Sequence, residues 1–233
     1  MRLRLLITTI FTFLFTFTMA SFFSPSSSSA SPLGPEMEPW HPESKFEPFG
    51  SGLDVSNLTP VGEAFDIKKV AVAFLSQRYS IDPTSLFYRN GYEDDVTKHA
   101  FVGEIHDGIP FSNEIQGHVV FNKQNKVVTV SSSLVTIATA SISSSTPTLS
   151  LEEAIKSAEE RLHGSFVPPS STATIAETVQ DDRQFLEYLA SADGSATLVY
   201  AISVANDSEG TSFLAYVDAH KGSVAAAISY VAQ

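Results

Sequence analysis

Twice in this 233-residue chain one amphipathic helical stripe is followed by strand-length apolar segments, with no second helix to pack against. In the first occurrence Ile67, Val70, Ala71, Phe74 and Leu75 recur at helical spacing behind Asp66, an N-cap residue type, and Asp82-Pro83 ends the run. A helix with one apolar face needs a cover. The segments 85–88, 99–105, 115–121 and 126–134 supply it, parted by Asn90-Gly91, His106-Asp107-Gly108 and residues 122–125, which predicts an antiparallel meander. In the second occurrence Ser150 and Glu153 have capping-box spacing, and Glu152 and Lys156 sit at i,i+4. Leu151, Ala154, Ile155, Ala158 and Leu162 form that stripe, and Gly164 closes it. Strands are expected at 172–178, 184–189, 197–204, 212–218 and 223–231. The pattern predicts an α+β fold in which a helix on one face of an antiparallel sheet is used twice.

The flanks read differently. Arg2 and Arg4 precede a threonine-dotted apolar stretch over 5–17, and Thr18-Met19-Ala20 ends on a small residue, the layout of a secretory signal peptide over 1–20. The apolar stretch is shorter than the roughly 20 residues that span a bilayer as a helix. Residues 21–52 are rich in Ser, Pro and Gly and predict a disordered spacer. The expected organisation is then a first domain over 53–135, a Ser/Thr-rich linker over 136–148 and a second domain over 149–233. A secreted, extracellular chain makes two sequons usable for N-glycosylation, Asn57 and Asn206.

Charge and residue types exclude several functions. Twenty-six acidic against 14 basic residues give a net charge of -12, which repels nucleic-acid phosphates and anionic membrane surfaces and leaves a cationic partner surface open. Without cysteine there is no disulfide framework, thiolate zinc site or cysteine nucleophile. None of His41, His99, His106, His118, His163 and His220 has a second histidine four residues on, as a zinc-peptidase helix requires. His99 and His106 would point to opposite faces of one strand. Neither a Gly-x-Ser-x-Gly elbow nor a phosphate-binding glycine loop occurs. The acidic pairs Asp94-Asp95, Glu152-Glu153, Glu159-Glu160 and Asp181-Asp182 read as solvated charge. The expectation is a chain with no catalytic, metal-binding or cofactor-binding residues.

Residues 99–105, followed by Asp107-Gly108-Ile109-Pro110-Phe111-Ser112-Asn113 and Gly117-His118-Val119-Val120-Phe121, resemble the fungalysin/thermolysin propeptide domain. His99, Phe101, Gly108, Ile109 and Asn113 match its pattern, while Gly103-Glu104 stand where Arg-Gln is usual. The segment from Leu149-Ser150-Leu151 to Asp218-Ala219-His220-Lys221-Gly222 resembles the PepSY propeptide repeat, with Asp218, Ala219 and Gly222 at motif positions. This order is that of fungalysin precursors, in which a zinc endopeptidase domain with a His-Glu-x-x-His helix follows. The resemblance implies a secreted prodomain, of fungal type, that inhibits a fungalysin-type metallopeptidase or assists its folding. One alternative is the truncated N-terminal part of such a precursor, and another is a secreted binding module with no peptidase partner. Contact by β-augmentation is expected through 212–218 or 223–233, although the two apolar faces of 223–231 also fit a buried final strand.

Overall fold

Both helical stripes form helices behind the N-caps that the spacing marks, Asp66 and Ser150, and each lies on an antiparallel sheet. The computed structural model describes residues 37–169 and 182–231. The signal segment, the first part of the spacer and the strand expected at 172–178 lie outside the described residues.

In the first half β1 spans Lys45–Leu53, α1 Ile67–Tyr79, β2 Leu86–Glu93, β3 Thr97–His106, β4 Ile109–Pro110, β5 Gln116–Asn122 and β6 Val127–Ser132. The sheet runs β1-β6-β5-β3-β2, all antiparallel, with β4 paired to β3. Asp66 caps α1 by accepting from Lys68 N at 2.9 Å, and Val70, Ala71, Phe74 and Leu75 are buried on its inner side. Gly117 is the point of closest approach: a Cβ there would fall 2.6 Å from Leu75 Cδ1, so the bare backbone of β5 lets α1 settle on the sheet. Ala100, Val102, Val119, Phe121, Val127 and Val130 complete this core.

Two expectations are corrected here. Residues 45–52, assigned to the spacer, belong to β1; Pro48 is tolerated because β1 is an edge strand, and Glu47 anchors it to α1 through Arg78 and Tyr79. Asn90-Gly91 is no turn. It continues β2 past a bulge in which Arg89 is the extra residue, and the chain reverses at 94–96, where Asp94 accepts from the backbone of Val96 and Thr97.

In the second half α2 spans Leu151–Leu162, β7 Ser165–Phe166, β8 Leu186–Ala190, β9 Ala196–Asn206, β10 Thr211–Asp218 and β11 Val224–Val231. The order is β11-β10-β9-β7, with β8 also on β9. The capping box forms reciprocally between Ser150 and Glu153, and the five stripe residues are buried. Lys156 reaches Glu160 rather than Glu152. His163, not Gly164, takes the left-handed position that ends α2; Gly164 is required for another reason, since a Cβ would lie 2.5 Å from the Ala205 carbonyl oxygen. β10 is paired on both sides, which removes 212–218 as a free edge. β11 has β10 as its one neighbour among the described strands.

The halves share a core. Ile109, Phe111 and Ile115 from the first pack with Tyr188, Leu198, Ile202 and the α2 stripe of the second. Phe111 bridges Tyr188 in parallel fashion, and Ser112 N donates to the Tyr188 carbonyl at 3.0 Å. The linker expected over 136–148 is stitched to the second sheet. Ser143 bonds Ala196 through its backbone N–H, accepts from Leu198 N at 2.7 Å and from the Tyr188 hydroxyl at 3.2 Å. A Ser/Thr-rich segment looks like a spacer in sequence, yet here the Ser143 hydroxyl takes up a β9 donor and the Thr148 hydroxyl donates to the His220 carbonyl.

Candidate functional site

Alternation along β3 sends Ala100 and Val102 into the α1 core, so His99, Phe101 and Gly103 lie on the sheet face without a helix. The β3–β5 register puts Phe101 opposite His118. Four rings stack on that face: Tyr92 on His99 at 4.2 Å, His99 near His118 at 5.2 Å, and His118 on Phe101 at 4.2 Å between centroids.

A hydrogen-bond chain orders the imidazoles. Burial is slight at Asp94, and the backbone N–H groups of Thr97 and Val96 hold its carboxyl down to about 2, so it is a carboxylate and only accepts. The Thr97 hydroxyl donates to it at 3.0 Å. With both rings neutral, Thr97 Oγ1 accepts from His99 Nε2–H at 2.8 Å and His99 Nδ1 accepts from His118 Nε2–H at 2.9 Å. Burial lowers the pKa of His118, and a charge on the neighbouring ring would lower it further, which favours the neutral form of His118. Its Nδ1 is then a free acceptor. His118 lines a cavity of about 300 Å³ together with His41, Phe101, Glu114, Gln116 and Ser131.

Beside the stack, Arg89 lies across Gly103. A Cβ at residue 103 would fall 2.3 Å from Arg89 Nε and 2.8 Å from Phe87 Cε1, so glycine is the residue that admits this arginine. The guanidinium donates to Asn113 Oδ1 at 2.7 Å and to the carbonyls of Phe111 and Ser112, pinning the segment that carries β4 into the second half. The Arg-Gln position of the resemblance is thus filled in space by an arginine from the neighbouring strand. Arg89 also faces two acids. Burial raises Glu187 on β8 to about 7, with Arg89 opposing and Glu114 adding to the rise. Arg89 Nε, Glu114 Oε2 and Glu187 Oε2 are buried without a hydrogen-bond partner among the described residues. Glu104, almost fully buried, is likewise pushed up to about 7 by burial, against a hydrogen bond from Val135 N–H.

The motif positions separate into groups. His99 and Phe101 belong to the stack, and Asn113 holds Arg89. Gly108 has φ +80 in the β3–β4 turn and Ile109 is buried in the shared core. Asp218, Ala219 and Gly222 form the β10–β11 turn: Asp218 accepts from His220 and Lys221 N–H, the Ala219 carbonyl accepts from Thr148 and Leu149, and a Cβ on Gly222 would touch Leu149. His106 packs edge-on against Tyr188, away from His99. Asn57 is exposed, whereas Asn206 is 7% exposed and its Oδ1 accepts from Ser208 and Glu209, so the second sequon is committed to the β9–β10 turn. Sequence reasoning missed Arg89, Glu114 and Glu187 as a group; a lone acid in the apolar run Leu186-Glu187-Tyr188-Leu189 was the available signal. Among the described residues no three His, Asp or Glu side chains are placed to hold a metal ion.

No family model matches the chain, and no curated protein does. Among solved structures it is similar to the Bacillus megaterium YpeB C-terminal domain, at 11% identity and a TM-score of 0.36, over 73% of this chain and 68% of that one.

Proposed function

We propose that the chain is a secreted, non-catalytic prodomain-like protein that binds a fungalysin-type extracellular metallopeptidase. The observation that carries this reading is the serial use of two helix-on-sheet units, with the propeptide-like residues at defined stations in each. His99, Phe101 and Asn113 cluster around the helix-free face of the first, and Asp218 to Gly222 shape the terminal hairpin of the second. A partner that binds the native peptidase and not its unfolded chain stabilises it by mass action, and the same contact can cover the cleft. β11 offers a long edge free of charged residues to which an extended segment of the enzyme can add by main-chain hydrogen bonds. The net charge of -12 steers a cationic rim toward it.

The test is inhibition. The purified protein is expected to slow peptide turnover by a mature fungalysin-type peptidase, with association weakening between 0.1 and 1 M salt as the Debye length falls from about 10 to about 3 Å. A chain that neither binds nor slows the enzyme at low salt overturns the reading.

A further inference from the structure

The 300 Å³ cavity beside the imidazole pair is lined by polar side chains whose hydrogen-bonding capacity is unspent. Among the described residues Glu114 Oε2, the Gln116 side-chain amide, the Ser131 hydroxyl and His118 Nδ1 make no hydrogen bond, although all four residues line it. All four can present an acceptor. The carboxylate accepts only, the relay from Asp94 through Thr97 and His99 leaves His118 Nδ1 as an acceptor, and the amide and hydroxyl can each turn an oxygen inward. Neither lysine nor arginine is among the lining residues. Close by, one cation, Arg89, faces the two carboxyl groups of Glu114 and Glu187, and its own hydrogen bonds go to Asn113 and to backbone carbonyls instead of to either acid.

We propose that this cavity receives a guanidinium group, the side chain of an arginine in a peptide segment of a partner. A guanidinium brings five N–H donors in a plane and a positive charge, which suits a carboxylate ringed by acceptors better than an ammonium or a neutral amide does. Phe101 supplies an apolar wall for the methylene stem, a common way for arginine to bury its chain while its head stays hydrogen-bonded. The volume is at the small end for ligand pockets and fits one side chain, not a whole small molecule. This site is distinct from the β11 edge, and its test does not depend on the identity of the partner.

The experiment titrates the purified protein with N-acetyl-L-arginine amide and, separately, with N-acetyl-L-citrulline amide, which has nearly the same shape and no charge. Backbone amide shifts of Gln116, Gly117, His118 and residues 131–133 are followed by NMR. Saturable shifts with arginine, at least tenfold weaker with citrulline, are expected. Glu114→Gln should weaken arginine binding about tenfold, and His118→Phe, which keeps a ring on Phe101 but removes the acceptor, several-fold. Far-UV circular dichroism and thermal midpoints verify that both variants fold. Equal binding of the citrulline probe, unchanged binding by folded Glu114→Gln, or no saturable shift with arginine would each overturn the proposal.

Discussion

The two helix–sheet units differ in what they do with the sheet face opposite the helix. In the second, Leu189, Val199, Tyr216 and Ala226 on that face are buried and apolar but for one phenol. In the first, the equivalent face carries Tyr92, His99, Phe101, His118 and Arg89, a run of stacked rings beside a guanidinium. One architecture thus carries two kinds of open face: an apolar cluster edged by Glu187 and the exposed Tyr230 in the second unit, and a stack of aromatic and imidazole rings in the first. The shared core around Phe111 and Tyr188 makes the second unit the support of the first.

The largest effect should come from breaking that support. Tyr188 is fully buried, packs against Phe111 at a tilt and against the edge of His106, and its hydroxyl and carbonyl both bond the other half or the segment joining them. Tyr188→Ala is expected to cost about 3–5 kcal/mol, the range for deleting a buried aromatic. Both halves should melt together, with coincident near- and far-UV transitions. Two separated transitions in the parent protein would show that the units are independent.

Next in size is a pH effect confined to the first sheet. Burial raises the folded pKa of Glu104 from the ordinary 4.5 to about 7, so the folded state holds its proton more tightly than the unfolded chain. Its contribution is fully present below about pH 4.5, declines as pH rises through 7 and is then lost. Glu104→Gln keeps an acceptor for Val135 N–H and removes the titration. The variant should therefore gain up to about 3 kcal/mol over the parent at pH 8 and almost nothing at pH 4, read from urea midpoints at the two values. A pH-independent difference would place the carboxyl in water.

Gly103→Ala sharpens the comparison at Arg89. The added methyl collides with Nε and with Phe87, and the guanidinium is fixed by three acceptors, so a loss of about 1–3 kcal/mol is expected. Removing the arginine in the same chain should recover part of it. The double substitution Gly103→Arg with Glu104→Gln, which would restore the pattern of the resembling propeptides, places two arginines in one space.

Much of this frame was legible beforehand, for physical reasons. Helix stripes repeat locally, and a cap such as Ser150 or Asp66 announces itself within three residues. Strand β1 was hidden because an exposed edge can hold Pro48, Gly50 and Gly52, residues that otherwise signal a spacer. The bulge at Arg89 was hidden because Asn90-Gly91 has turn chemistry whether or not the chain turns. At the site, His99 and Phe101 stood out through their motif. Their meeting with His118 depends on the register of β3 against β5, and the approach of Glu187 depends on how the halves pack, neither of which is encoded over short distances.

The smallest expected effect separates the halves at their surfaces. Expressed through a eukaryotic secretory route, the chain should carry glycan on exposed Asn57 and little on Asn206, whose side chain closes a turn. Mass spectrometry of the two tryptic glycopeptides reads it directly, and full occupancy of Asn206 would mean that the β9–β10 turn is open.

The central claim, a prodomain-like module that engages a metallopeptidase through its terminal edge, is tested most directly by hydrogen–deuterium exchange with and without a mature fungalysin-type peptidase. β10 is already paired on both sides, so its amides should change little. Amides of β11 should become protected in the complex as their outward N–H groups find partners. Unchanged exchange along β11 at saturating enzyme would contradict the account.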